Sequence, residues 1–283
     1  QLRQALDLSG EEAAPVAIDY TEVKRVTSDM LTEDSFFHFE IFGDNYHTEP
    51  IIGFAWGTKG QLYASTDTGL LQTPIFKEFL EKTPLKVYDF KRAKVLLSHL
   101  GISLQNPAFD SRLAKYLLST VEDNEISTIA SLYSQIALPL DEVVYGKGVK
   151  KAIPEKAVLL EHLARKAAVL LDTEEPMMEQ LQAHDQLDLL YDMEQPLAAV
   201  LAKMEIAGIK VERQTLEDMQ VENEVVLERL TQEIYELAGE EFNINSPKQL
   251  GVILFEKLEL PLEYTKKTKT GYSTAVDVLE RLA

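Results

Sequence analysis

Glu241-Phe-Asn-Ile-Asn-Ser-Pro-Lys-Gln-Leu-Gly-Val-Ile-Leu-Phe255 and, shortly after it, Thr265-Lys-Lys-Thr-Lys-Thr-Gly-Tyr-Ser-Thr274 carry the most information in this chain. Ser246 is a preferred helix N-cap and Pro247 is tolerated at the first helical position, so a helix is expected to begin here. Leu250, Ile253, Leu254 and Leu258 recur at helical spacing and give it one apolar face. Lys248 and Gln249 stand near its N-terminal end, where backbone N–H groups also point outward. In the second segment Lys266, Lys267 and Lys269 lie among Thr and Gly, with no acid between Tyr264 and Val276. Small hydroxyl residues, lysines and a flexible glycine suit contacts to a phosphate backbone.

Charge gives that placement its weight. The chain has 283 residues, is 45% apolar and 27% charged, and carries a net charge of −19. It is long enough for two domains and has the composition of a folded soluble protein. The charge is uneven: residues 241–283 hold six basic and six acidic side chains, whereas residues 1–240 hold 22 and 41. Nucleic-acid binding over most of the surface is therefore excluded, and any contact with DNA is local and near the C-terminus. No run approaches the roughly 18 apolar residues of a membrane helix. Gln1 to Val16 contains Arg3, Asp7, Glu11 and Glu12 and lacks an apolar core, so no signal peptide is expected. The absence of cysteine excludes disulfides and cysteine metal sites and fits a reducing cytoplasm, the expected location.

Upstream, the organisation reads as strands and then helices. Gln1–Asp34 is acidic and weakly patterned, an irregular lead-in. Phe36–Phe42, Ile51–Gly57 and Gln61–Ser65 are short aromatic or β-branched runs separated by turn residues, which predicts three antiparallel strands. Thr73–Glu81 is expected to be helical, Leu85–Tyr88 a short buried strand, and Phe90–Leu100 a helix ended by Gly101. Asp110 is a candidate N-cap for a helix over Ser111–Ser119. Further helices are expected over Ile126–Ile136 and Pro154–Leu171. This order implies an α/β domain over residues 1–188. From 189 to 283 the character changes. Tyr191–Ile206 and Gln214–Ala238 read as long amphipathic helices joined through Gly208 and Ile209–Val211, and the second is expected to project as one arm of a helical hairpin. Lone Trp56 reads as core.

These residues resemble a known family. Gly239-Glu-Glu-Phe-Asn-Ile-Asn-Ser-Pro-Lys-Gln-Leu, the tip Lys266–Thr274 and Val276–Leu282 are similar to the thumb of bacterial family A DNA polymerases, the polymerase I family. Pro196–Val211, with Met204-Glu-Ile-Ala-Gly-Ile-Lys, resembles the start of that polymerase domain. Leu85–Val87, Gly101-Ile102 and Ala108-Phe-Asp-Ser-Arg-Leu-Ala-Lys-Tyr-Leu-Leu resemble its 3′–5′ exonuclease domain. The resemblance covers residues from about 20 to 283. It implies an α/β, RNase H-like domain with a mixed sheet flanked by helices, followed by an all-α, incomplete thumb. It implies a parent nucleotidyltransferase of DNA replication and repair that adds deoxynucleotides to a primer on a template and uses Mg²⁺. Its 5′-nuclease domain has no match here, and the fingers and palm fall after Ala283. The implied partner is duplex primer–template DNA, gripped without sequence preference by a monomer. Asn243, Asn245, Ser246, Lys248 and Gln249 would contact it at one turn, and Lys266, Lys267, Lys269, Thr270, Tyr272, Ser273 and Thr274 at the tip.

The resemblance also assigns an exonuclease site. The family holds two divalent ions with about four carboxylates, from an Asp-x-Glu, a second-motif Asp and a Tyr-x-x-x-Asp. Here the first motif reads Glu40-Ile41-Phe42, the second position falls on Ala93, and the third reads His162-Leu-Ala-Arg-Lys166. One acid is left, and a lysine stands where another belonged. That swings the site by two charges, each worth about 4 kcal/mol at about 4 Å and an effective dielectric near 20. The expected site is inactive, with no metal, and Glu40 and Lys166 are expected to form an ion pair across it. Some local features favour plain structural roles. His162 reads as a helix-face histidine, and Asp185, Asp188 and Asp192 as a solvated acidic face. Gly146-Lys147-Gly148 reads as a basic turn that lacks the rest of a phosphate loop. An exonuclease with another ligand set, and a non-catalytic interaction module suggested by the acidic first 240 residues, stand as alternatives.

Overall fold

Thr21–Glu22 forms β1, Phe36–Ile41 β2, Ile51–Thr58 β3 and Gln61–Ser65 β4 in the computed structural model, which describes residues 17–268 and 271–282. The helix α1 (Pro74–Lys82), the strand β5 (Lys86–Val87), the helix α2 (Phe90–Ser98) and the strand β6 (Phe109–Asp110) follow. The sheet has six strands in the order β1-β4-β3-β2-β5-β6. The β2–β3–β4 meander is antiparallel, while β1, β5 and β6 add in parallel, so the sheet is mixed.

Every residue of β2 is buried, because the sheet is covered on both faces. Phe37, Phe39 and Ile41 join Phe54, Trp56, Phe76 and α2 in one cluster. Phe36 joins Ala55, Ala64 and the long helix described below in the other. Trp56 is fully buried, with its indole N–H donating to Met30 O at 2.7 Å. Residues 1–16 of the lead-in lie outside the described residues; the rest is irregular apart from β1 and a short turn over Ser28–Met30, yet Val23 and Val26 are buried, and Val23 N donates to Ala64 O at 2.9 Å.

The helices α3 (Ser111–Leu118), α4 (Ile126–Tyr133), α5 (Asp141–Val144) and α6 (Lys156–Ala183) complete the covering layers. α4 stops three residues short of the expected Ile136, because Asp172 captures Ser134 Oγ at 2.6 Å and Gln135 N at 3.0 Å. α6 continues beyond the expected Leu171 through Pro176, anchored by buried Thr173, Met177 and Leu181. Packing outweighs the one hydrogen bond that the proline removes. α6 also approaches β3 closely. A Cβ on Gly53 would lie 2.7 Å from Leu163 Cδ1, so glycine there lets the helix settle on the sheet.

Contacts divide the chain into two compact units, Gln1–Gly208 and Ile209–Ala283. A π-helical turn over Leu189–Glu194, where a regular helix is expected, leads into α7 (Gln195–Ala207), which belongs to the first unit. The second unit contains α8 (Arg213–Ala238), α9 (Pro247–Val252), a π turn over Ile253–Lys257, the two-stranded ribbon β7 (Lys267–Thr268) and β8 (Gly271–Tyr272), and α10 (Val276–Leu282). Besides the expected helices, this unit therefore carries a small antiparallel ribbon at its lysine cluster. Gly239 ends α8 in the left-handed conformation expected of a C-cap glycine. Asp185, after the end of α6, also has positive φ (55°), so it does not share a helix face with Asp188 and Asp192. Among the described residues no helix is long and apolar enough to cross a membrane.

Asp110 does more than cap one helix. Its carboxylate accepts from Arg112 N at 3.0 Å and Leu113 N at 3.1 Å at the start of α3, and from Phe90 N at 2.8 Å at the start of α2. Asp110→Ala would leave buried N–H groups at two helix ends without an acceptor. The expected loss is about 3 kcal/mol, with a smaller loss for Asp110→Asn, read from urea unfolding.

Candidate functional site

Strand β2 presents His38 and Glu40 to the same face, two residues apart. The β2–β3 register shifts between Glu40 and Ile41, a bulge of the kind that re-aims neighbouring side chains. Across from them α6 presents His162 and Lys166, one turn apart. Lys166 is 3% exposed and Glu40 4%. The Lys166 ammonium donates to Glu40 Oε2 at 2.5 Å, so the expected pair is present. It also grips both oxygens of Asp141, at 2.9 and 3.0 Å. His162 Nε2 donates to Asp141 Oδ1 at 2.7 Å, and His38 Nε2 to Glu40 Oε2 at 3.1 Å. From α2, Arg92 comes within 3.8 Å of Glu40 Oε1. Two carboxylates, Glu40 buried and Asp141 with 57% of its side chain exposed, thus face one ammonium and one guanidinium.

Electrostatics follow from that enclosure. Burial alone would raise the Glu40 carboxyl, but the Lys166 ammonium and His38 hold it well below the ordinary carboxylate value. Burial opposes the charge on Lys166 as well, and Glu40 with Asp141 overcomes it and raises the amine. Burial lowers the His38 imidazole against the pull of Glu40. Asp141 is lowered in spite of its own burial, by His162 and Lys166.

Of the sequence-predicted positions, Glu40, His162 and Lys166 converge here. Ala93 instead lies in the aromatic cluster beneath α2, and Phe42 packs edge-on against Tyr145 with ring centroids 6.1 Å apart. Three participants escaped the sequence. His38 was readable from the two-residue period of β2. Arg92 and Asp141 carried no local signal, since Asp141 lies 25 residues from Lys166. Two adjoining cavities of about 520 and 630 Å³ share Glu40, Arg92, Glu125, Asp141 and Glu142. Hard divalent ions want several free oxygen ligands, and Glu40 is engaged by an ammonium and an imidazole. These residues do not fit the family's two-metal arrangement. Among the described residues no three His, Asp or Glu side chains form a metal-holding group.

In the second unit, the tip residues divide into shaping and exposed groups. Ser246 caps α9, accepting from Gln249 N at 3.4 Å. Gln249 Oε1 accepts from Asn243 N at 2.8 Å, and Asn243 Oδ1 from Asn245 N at 3.0 Å. Thr265 Oγ1 donates to Ser273 O at 2.8 Å, and the Tyr272 ring packs 5.2 Å from Phe255. Tyr272, Ser273 and Thr274 are half-buried, whereas Lys248, Lys266 and Lys267 are exposed. Lys269 and Thr270 lie outside the described residues.

The mixed sheet flanked by helices places the first unit in the ribonuclease H-like class of folds. Residues 37–173 match the family described as DNA polymerase I, ribonuclease H-like domain, and residues 213–283 match DNA polymerase family A. The chain belongs to the bacterial DNA polymerase I family, family A. It is 69% identical to DNA polymerase I of Streptococcus pneumoniae (strain ATCC BAA-255 / R6) over 283 residues, covering 100% of this chain and 32% of the relative. It is 54% identical to DNA polymerase I of Lactococcus lactis subsp. lactis over 98% of this chain and 31% of that relative. Identity to DNA polymerase I of Geobacillus stearothermophilus is 42%, over 99% of this chain and 32% of that relative. The chain thus spans about a third of the length of these curated relatives. The solved POL domain of Pol1 from M. smegmatis, in complex with DNA primer-template and dNTP, superposes with a TM-score of 0.64 at 27% identity, covering 87% of this chain and 41% of that one.

Removing one partner of the buried pair should be costly. Lys166→Met is expected to lose about 3–5 kcal/mol near neutral pH, and Glu40→Leu/Lys166→Met less than half of that. Glu40 is depressed below 4.5 in the folded protein, so its contribution is present above pH 4.5 and lost as pH falls. His38, lowered from 6.5, also withdraws support as pH falls below 6.5. Lys166 is raised above 10.5, so its contribution is lost only as pH rises past that value. In Lys166→Met the Glu40 carboxyl rises instead, so the gap between the two proteins should narrow below about pH 4.5. Urea unfolding at several pH values checks both the size and the sign.

Proposed function

We propose that this chain is part of a DNA polymerase I of DNA replication and repair, acting in the cytoplasm as a monomer. Its parent adds deoxynucleotides to a primer on a template. The first unit is an inactive exonuclease-like scaffold. Residues 189–283 begin the polymerase domain, and the second unit supplies part of its thumb. Lys248, Lys266, Lys267 and Lys269 meet phosphates, while Asn243, Asn245, Ser246, Gln249, Thr270, Tyr272, Ser273 and Thr274 shape or extend that contact without reading sequence. The Mg²⁺ of the polymerase reaction would be held by parts of the relatives outside this chain.

The observation that carries this proposal is the Lys166 ammonium, 2.5 Å from Glu40 Oε2 and clasped by Asp141. A lysine in the heart of the cleft repels the dications that phosphodiester cleavage would require. The ordered succession of the two family segments along one chain supports the polymerase assignment. The exposure of Lys267 on the ribbon and of Lys266 just before it supports a phosphate-gripping tip.

Two measurements test it. End-labelled single-stranded DNA incubated with the chain and Mn²⁺ should stay intact; mononucleotide release abolished by Glu40→Ala would overturn the inactive assignment. Duplex affinity should fall with salt, and Lys266→Ala and Lys267→Ala should each flatten the log–log slope by about one unit. An unchanged slope in both variants would remove the lysine tip from the interface.

A further inference from the structure

Within the second unit, the exposed lysines of the tip stand on a very small platform. β7 and β8 pair only through Lys267 with Tyr272 and Thr268 with Gly271, two residues to a strand. A two-stranded hairpin is marginal in water unless it has something to pack on, and this one carries ammonium groups on adjacent residues, Lys266 and Lys267. Its support comes from its base and from beneath. At the base, Thr265 Oγ1 donates to Ser273 O at 2.8 Å, and Ser273 N donates to Lys266 O at 3.1 Å. These two bonds join the chain entering β7 to the chain leaving β8. Beneath, the Tyr272 ring centroid lies 5.2 Å from that of buried Phe255. α9 approaches as well, since a Cβ on Gly251 would lie 3.3 Å from Tyr272 O.

Thr265 stands apart from the residues that follow it. It opens the stretch Thr265–Thr274, yet it has no part in the assigned DNA contacts. It is half-buried where Lys266 and Lys267 are exposed. Its hydroxyl proton is committed to Ser273 O, and its backbone is extended (φ −121°, ψ 162°), as suits a β-branched residue. Lys267 follows two residues later, across from Tyr272, with its ammonium 5.9 Å from the ring centroid. A clasp at the base of so short a ribbon therefore bears on where both lysines stand.

We propose that Thr265 is a positioning residue for duplex binding: its hydroxyl clasps the two ends of the ribbon and holds Lys266 and Lys267 ready for phosphates. Lysines ordered beforehand lose less freedom when DNA binds, so the clasp strengthens binding without adding a contact. The proposal rests on the DNA-gripping assignment of this same unit and involves no residue of the first.

The experiment compares the 283-residue chain with Thr265→Val, which keeps the branched shape and removes the hydroxyl, and with Thr265→Ser, which keeps the hydroxyl. It reads affinity for a duplex oligonucleotide at one fixed salt concentration, and amide hydrogen exchange at Ser273 in the protein without DNA. Thr265→Val should bind duplex about threefold more weakly and exchange faster at Ser273. Thr265→Ser should match the parent in both. Thr265→Val that binds as tightly as the parent overturns the positioning role. So does weaker binding with Ser273 exchange unchanged, because the hydroxyl would then be acting on DNA itself. Thr265→Ser that recovers neither readout overturns it too. A parent chain that binds no duplex at low salt overturns the DNA-gripping assignment, and the positioning role with it, whereas equal binding by parent and Thr265→Val overturns the positioning role alone.

Discussion

A lysine ammonium at 3% exposure has to be compensated on every side, and the first unit is built around that demand. Lys166 projects from α6, which packs closely on β3 where Leu163 meets Gly53. Glu40 meets it from a bulged strand, and Asp141 arrives on a short helix that crosses the cleft. From α2, Arg92 adds a second positive charge, 3.8 Å from Glu40 Oε1. An unpaired buried charge costs several kcal/mol, so Glu40 and Lys166, the two buried members, cannot change independently. A single internal cation thus sits in the cleft, and Glu40 keeps a charged partner.

Helix α2 links that centre to the rest of the chain. Residues one apart on a helix point about 100° from each other. Arg92 accordingly turns to Glu40 in the cleft, while Lys91 turns to Glu205 on α7. The start of α2 is itself pinned by Asp110, whose backbone N–H in turn holds Gln195. One helix therefore transmits the rigidity of the sheet to the helix that closes the first unit. This gives physical content to the idea of a catalytically silent domain that still serves as a scaffold.

The parts legible in the sequence were those whose signal is local. The three meander strands were readable from aromatic and β-branched runs between turn residues, Asp110 from its place before a helix, and Ser246-Pro247 from cap chemistry. β1, β5 and β6 have two residues each, too few to show a period, and two of the three were missed. The extension of α6 past Leu171 was hidden by Pro176, whose cost is outweighed by buried Met177 and Leu181. In the cleft, the Glu40–Lys166 pair was inferred through family resemblance, not from spacing. Asp141 and Arg92 were invisible because their role depends on tertiary approach. Tyr272, expected at the DNA-contacting tip, is half-buried, with its ring centroid 5.2 Å from that of Phe255.

The same division between shaping and contacting groups bears on how the tip would hold DNA. Asn243, Ser246 and Gln249 spend hydrogen-bonding capacity on one another, which fixes the turn before α9 and leaves Lys248 exposed at its first turn. On the ribbon, Lys267 lies 5.9 Å from the centroid of the Tyr272 ring, so a packed aromatic organises the lysine. Residues 241–283 are neutral overall, while the preceding 240 carry the whole −19. Only a few fixed cations are then available to displace counterions, and the acidic remainder disfavours any wider footprint. In the proposed role such a tip would favour the duplex backbone over base edges, and its affinity would depend less on total charge than on how firmly those few lysines are held in place.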